Sequence, residues 1–252
     1  MASLLCFKCL EKTMNTVKFD KKNTLVVAHR GLSGIETENT NAAFVAAGNR
    51  SYYGIETDIR RTADGDFVVS HDRTLERVGG VDINVETTDI GALQKIRLLD
   101  KDGSRDRADL HPTTLENYIA ICKKYEKHCV LELKSDFTDE ETEAYIEKIK
   151  KYDYLDNVTF ISFKYDVLLR IRKILPTQSA QFLFKEFSDE IIENVKRNKF
   201  DVDVYHKSLN EDIIKELHEA GIKVNCWTVD DALRAEELAS YGVDFITTNI
   251  LE

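Results

Sequence analysis

The chain has 252 residues, 42% of them hydrophobic, and a net charge of −10. That is enough apolar material for one large core or two small ones, and the charge excludes a protein that holds nucleic acid or an anionic membrane by long-range attraction. Five cysteines, odd in number and scattered, exclude a disulfide framework and point to reduced thiols in the cytoplasm.

In chain order, the first signal is the recurrence of Leu4, Phe7, Leu10, Met14 and Val17. This spacing predicts a helix over roughly residues 3–17, within an extension of residues 1–20 packed on the domain that follows. Its apolar run stops at Lys8 and no small-residue cleavage pattern follows, so it does not read as a secretory signal. No stretch of the chain reaches the ~20 apolar residues of a membrane span. Cys6 and Cys9 form a C-x-x-C, but no second pair or histidine pair stands at zinc-finger spacing.

Eight short runs that read as strands come next, at 25–30, 53–60, 129–134, 158–163, 180–184, 202–206, 223–229 and 243–247. Between them lie seven amphipathic helix patterns, at 41–48, 114–125, 139–150, 165–174, 188–197, 210–220 and 230–240. Asp139 and Ser188 read as N-caps, Gly221 and Gly242 as helix stops. Strict alternation predicts an α/β fold with a parallel sheet and right-handed crossovers. A doubly wound open sheet usually carries G-x-G-x-x-G after its first strand, and AHRGLSG does not match. Eight strands in a domain over 21–252 fit a closed (β/α)8 TIM barrel, which typically takes about 250 residues. The chain stops at TTNILE, so an eighth outer helix is expected to be irregular or missing. The one long connection, residues 72–113, is expected as an insertion over the C-terminal rim, where barrel active sites lie.

The chemistry collects on those strands. Glu56 and Asp58, two residues apart, share one strand face, as do Glu132 and Lys134 in LELK. Three carboxylates converging on a barrel mouth need a positive partner, and carboxylate-only ligation suits a hard divalent cation, Mg²⁺ or Ca²⁺. Asp64-Gly65 reads as a two-residue hairpin turn, whose register sets His71 opposite Asp58 on the same face. A three-residue loop with a bulge would turn His71 to the other side. His29 ends the neighbouring strand in VVAHRG. Two histidines at one mouth can divide the work of taking and giving a proton. Arg30 offers a planar fork that suits a phosphate, and Lys134 a further positive charge. Together these residues read as a site for metal-assisted cleavage of a phosphate ester.

In their order along the chain, HRG, ENT (Glu38 to Thr40), E-T-D, T-A-D-G, V-V-S-H-D, L-E-L-K and W-T-V-D resemble the glycerophosphodiester phosphodiesterase family. The resemblance runs from about Leu25 to Asn249. It implies a TIM-barrel hydrolase of lipid and glycerol metabolism that splits small glycerophosphodiesters, of the glycerophosphocholine or glycerophosphoethanolamine class, into glycerol 3-phosphate and an alcohol. By motif it implies His29 and His71 as the acid/base pair, and Glu56, Asp58 and Glu132 as metal ligands. Arg30 and Lys134 match phosphate-contacting positions, and Trp227 an aromatic lining the substrate pocket. Asn39 is implied as a cap of the following helix, with Glu38 near the metal or the substrate hydroxyls. Thr37 stands where the family usually has a proline, and the chain ends where many members continue.

Two other reactions fit the same barrel. A substrate hydroxyl could attack the phosphate and release a cyclic product, as in the phosphoinositide-type phospholipases. Lys134 could form a Schiff base, although the carboxylates around it favour its charged form. A purely binding module would leave the histidines without purpose.

Overall fold

The computed structural model describes residues 15–252. Most of the helix expected over 3–17 lies outside the described residues. Residues 15–20 are not helical, and Val17 instead bridges in parallel to Leu251, its N–H donating to the Ile250 carbonyl at 3.0 Å.

The elements run β1 (Leu25–Ala28), α1 (Asn41–Gly48), β2 (Gly54–Arg61), β3 (Phe67–Val69), α2 (Glu76–Gly79), α3 (Ile90–Leu93), α4 (Leu115–Lys124), β4 (His128–Leu133) and α5 (Asp139–Lys150). They continue with β5 (Val158–Ser162), α6 (Tyr165–Ile174), β6 (Ala180–Phe184), α7 (Asp189–Asn198), β7 (Asp201–Tyr205), α8 (Glu211–Glu219), β8 (Val224–Trp227), α9 (Ala232–Ser240) and β9 (Phe245–Thr248). Strand β1 pairs in parallel with β2 on one side and with β9 on the other. This closes the eight parallel strands into the expected (β/α)8 barrel, with β3 antiparallel on the end of β2. No helix follows β9 among the described residues.

Strand residues alternate between two apolar environments. Ile55, Ile59, Leu131 and Leu133 join the large core between barrel and helices, while Val27, Val130, Ile161 and Leu183 fill the barrel interior. Glu56 stands level with Val130, and Asp58 with Glu132. All three acids therefore point inward, one to five residues from the C-terminal ends of strands whose other face is greasy.

Local chemistry sets the ends. Ser188 caps α7, and Gly221 and Gly242 follow α8 and α9 with φ of 74° and 87°, as expected for helix stops. Helix α5 is capped one residue earlier than expected. The Thr138 hydroxyl accepts from Glu141 N–H while the Glu141 carboxylate accepts from Thr138 N–H, a reciprocal capping box that leaves Asp139 as the first helical residue.

The hairpin also departs from the expected register. Strands β2 and β3 pair as Ile59↔Val69 and Arg61↔Phe67, and Thr62 N–H donates to the Asp66 carbonyl. The loop is therefore the three residues 63–65, with Gly65 at φ 78° supplying the left-handed position of a bulged turn. Asp58 faces Ser70 instead of His71, the Ser70 N–H donating to the Asp58 carbonyl at 3.0 Å. His71 comes next, where the chain leaves the ladder and bends.

The insertion of residues 72–113 is folded. Short helices α2 and α3 wrap a small core of Leu75, Val85, Leu93, Leu98 and Leu110, which Val68 of β3 joins. No helix among the described residues is long and apolar enough to cross a membrane.

Candidate active site

Four stretches of chain meet at the C-terminal mouth: the β1–α1 loop, β2 with the hairpin end, β4, and the last residues after β9. Three buried acids form the floor. Ligand atoms from Glu56, Asp58 and Glu132 lie within 4.8 Å of one another. Burial and the neighbouring Asp58 push Glu56 far above the usual carboxylate range, and the same two causes push Glu132 up to about 7. Burial would raise Asp58 too. The Arg30 guanidinium, Lys134, His71 and the Asn39 amide outweigh it and hold Asp58 well below its ordinary value. Asp58 Oδ1 is buried with no hydrogen-bond partner. A cluster of hard oxygen donors that mutually repel, one with a free buried acceptor, fits a divalent cation held by Glu56, Asp58 and Glu132.

The β1–α1 loop supplies cations and braces. Arg30 has a left-handed backbone, φ 54°, which costs a non-glycine residue about 1 kcal/mol. Its contacts hold it there: N–H to Glu56 Oε2 at 2.7 Å, Nη1 to Glu38 Oε1 at 2.8 Å, and Nε 3.4 Å from Asp58 Oδ2. Gly31 must be glycine, because a Cβ there would lie 2.7 Å from Ala43 of α1. Asn39 does not cap α1; Thr40 does, accepting from Ala43 N–H. The Asn39 side chain turns inward, donating to Asp58 Oδ2 at 2.9 Å and accepting from the Thr57 hydroxyl at 2.7 Å. On β4's end, Lys134 Nζ donates to Glu132 Oε1 at 2.9 Å and lies 3.6 Å from Asp58 Oδ1. It is engaged by carboxylates and is not the unpaired amine that a Schiff base needs.

Each histidine is held by its Nδ1. His29 Nδ1 lies 2.7 Å from Asn249 Oδ1, and its Nε2 is 4.0 Å from Glu56 Oε2. The orientation of Asn249 follows from Asp230, whose carboxylate only accepts: it takes the Asn249 amide N–H at 2.6 Å. The Asn249 oxygen therefore faces His29, so Nδ1 carries the proton and Nε2 offers a lone pair. Burial, with Arg30 adding, pushes His29 down to about 4. His71 Nδ1 lies 2.7 Å from Asp72 Oδ1, again an acceptor only. Burial lowers His71, while Asp58 and the bond to Asp72 oppose that fall. Asp58, Arg30 and Lys134 all act electrostatically on the His71 ring, so it stays in their neighbourhood despite the altered register.

Across the mouth, Trp227 ends β8 among aromatic side chains, 5.4 Å from Phe163 and 5.7 Å from Tyr205 between ring centres. Its indole N–H donates to the Asp203 carbonyl. Phe163 in turn faces Lys134, its ring centre 5.9 Å from Nζ. Of the residues predicted from sequence, the structure gathers His29, Arg30, Glu38, Asn39, Glu56, Asp58, His71, Glu132 and Lys134 into one constellation, with Trp227 on its far wall.

Five residues that sequence reasoning missed hold that constellation. They are Asp72, Arg77, Arg60, Asp230 and Asn249. Asp72 had a local signal, standing beside His71; Asp230 and Asn249 lie within the quoted W-T-V-D and TTN stretches.

A parallel barrel with a carboxylate cluster at its C-terminal mouth agrees with the class that the comparisons with known proteins show, a phosphoric diester hydrolase. Residues 29–252 match the glycerophosphoryl diester phosphodiesterase family, and the chain belongs to it. It is 28% identical, over 90% of its length and 94% of the relative's, to the glycerophosphodiester phosphodiesterase of Caldanaerobacter subterraneus subsp. tengcongensis. An Oleispira antarctica phosphodiesterase, solved in complex with the product sn-glycerol-3-phosphate, superposes with a TM-score of 0.83 at 25% identity, covering 89% of this chain and 92% of that one. A glycerophosphodiester phosphodiesterase from Parabacteroides distasonis gives 0.76 at 28% identity, over 90% and 93% of the two chains.

Proposed function

We propose that this enzyme hydrolyses glycerophosphodiesters, of the glycerophosphocholine or glycerophosphoethanolamine class, to glycerol 3-phosphate and an alcohol. The observation that carries the reading is the pairing, around three buried carboxylates, of one histidine kept neutral with a second backed by a carboxylate. The Oleispira antarctica neighbour, with sn-glycerol-3-phosphate bound, supports the choice of substrate.

Glu56, Asp58 and Glu132 hold the cation, Mg²⁺ or Ca²⁺. When bound, it supplies charge stabilisation for the phosphoryl oxygens in the transition state. Arg30 and Lys134 contact the phosphate from the two sides of the cluster. His29, with its Nε2 lone pair free, takes the proton of the attacking water. His71 gives a proton from Nε2 to the departing alkoxide as the P–O bond breaks. Trp227 and Phe163 form an apolar wall for the carbon skeleton of the substrate. Cys122, Cys129 and Cys226 are free, buried thiols, which supports a reducing, cytoplasmic setting.

The test is release of glycerol 3-phosphate from glycerophosphocholine by protein stripped of metal, then supplied with Mg²⁺ or Ca²⁺. Release that depends on the added cation is expected, and the more effective cation names the metal. A cyclic phosphate product would assign the cyclising reaction instead. No release with any cation would overturn the substrate class, and a lysophospholipid would be tried next.

A further inference from the structure

Arg77 sits on α2, in the insertion, and every nitrogen of its guanidinium is committed. Nε donates to Asp72 Oδ2 at 2.7 Å, Nη1 to Glu38 Oε2 at 2.7 Å and Nη2 to Glu38 Oε1 at 2.8 Å. One planar group thus ties two loops that leave different strands. Glu38 belongs to the β1–α1 loop and shares Oε1 with Arg30. Asp72 follows β3, and its other oxygen binds His71 Nδ1 at 2.7 Å. The result is a continuous line from Arg30 through Glu38, Arg77 and Asp72 to the imidazole.

His71 needs such a line more than most residues on a barrel rim. It lies two residues past the end of β3, with no ladder partner of its own. Its backbone is also held by a side chain, the carbonyl accepting from Arg60 Nε and Nη2 at 3.1 and 2.7 Å. A lone aspartate on a bending loop can swing with its histidine. An aspartate whose second oxygen is pinned by a guanidinium, itself forked onto another loop, cannot.

We propose that Arg77 is a positioning residue for leaving-group protonation. It fixes the Asp72–His71 pair against Glu38, so that His71 Nε2 meets the departing oxygen. Arg77 keeps its own protons throughout; the one transferred goes from His71 Nε2 to the alkoxide as the P–O bond breaks. The inference rests on the reading of His71 as the proton donor.

The experiment compares two glycerol phosphodiesters on the cation-loaded enzyme: glycerophosphocholine, whose alkoxide must be protonated, and the 4-nitrophenyl ester, whose phenolate leaves unaided. R77Q is expected to lower kcat on the choline ester by about 10- to 100-fold, the size seen when a partner that orients a functional ligand is lost. KM should not change, and kcat on the nitrophenyl ester should fall far less. In an H71A background R77Q should cost nothing more, because both act at one proton transfer. R77K, which keeps the charge but loses the fork, should recover only part of the activity. D72N should repeat the selectivity of R77Q, and it carries the test if R77Q does not fold.

If H71A is selective for the nitrophenyl ester but R77Q and D72N slow both esters equally, the positioning role is overturned. It is overturned too if R77Q adds its full loss to that of H71A. If H71A itself slows both esters equally, the reading of His71 as the donor falls, and the inference with it.

Discussion

His29 and His71 stand at the same mouth, yet they are held there by different kinds of structure. His29 continues the β1–β9 ladder, its N–H on the Thr248 carbonyl at 2.8 Å, and its ring rests on the neutral Asn249 amide. His71 has left its hairpin, is gripped through its carbonyl by Arg60, and its ring rests on the Asp72 carboxylate. A buried imidazole with an amide partner stays neutral and can accept a proton. A carboxylate partner opposes the burial that keeps such a ring neutral, and a ring so backed can give a proton. In the proposed mechanism, it is the charge of the partner that divides the labour in this pair.

The largest effect expected from that division comes from removing each ring. His29→Ala and His71→Ala should each lower kcat on glycerophosphocholine by about 10²-fold or more, with little change in thermal melting. The two should part on the nitrophenyl ester. Loss of the base slows both substrates, while loss of the acid spares the one that leaves unaided. Identical profiles for the two variants would erase the distinction.

How far this was legible follows the same line between backbone and side chain. The eight strands were readable because β-branched runs alternate with helical periods. The acids were readable because a strand has period two, so Glu56 and Asp58 had to share a face. Register in the hairpin was not, since one residue decides it, and the pairing of Thr62 with Asp66 fixed the longer loop. The resemblance implied Asn39 as the cap of α1, but the hydroxyl of Thr40 took that place and freed the amide for Asp58. The partner of His29 and the tie of Arg77 to Glu38 escaped because they are contacts at long range, whereas Asp72 stands beside His71 and only its turn onto the ring was hidden. Asn249 is 220 residues from His29, and Arg77 is 39 from Glu38. Period and propensity carry no information about such pairs.

Exchanging the partners should move the pH profile. A base works above its pKa, so raising the pKa of His29 pushes the acidic limb of kcat/KM to higher pH. The double variant D230N/N249D places a carboxylate on His29 while keeping an amide opposite it, and the limb should rise by about one pH unit. An acid works below its pKa. His71 is already lowered by burial, and D72N removes an opposing influence, so the basic limb should move to lower pH. Limbs that stay fixed in both variants would show that the charge of the partner is irrelevant.

The smallest effect should come from Arg60, which touches only the backbone of His71. Its guanidinium spans the His71 carbonyl and Glu86, with Nη1 3.1 Å from Glu86 Oε1, and Glu86 is further held by the Ser135 hydroxyl at 2.6 Å. R60K keeps a cation near Glu86 but cannot fork onto the carbonyl. A single hydrogen bond to a charged donor is worth about 1.5–3 kcal/mol, and most of that should appear as lost stability because the ring keeps Asp72. Turnover of the choline ester is therefore expected to fall by less than about tenfold, with the nitrophenyl ester unaffected. No equivalent substitution exists for His29, whose backbone partner is the Thr248 carbonyl of the barrel wall. A loss in R60K as large as that of H71A would mean that His71 is positioned through its backbone, with Asp72 and Arg77 serving only to set its charge.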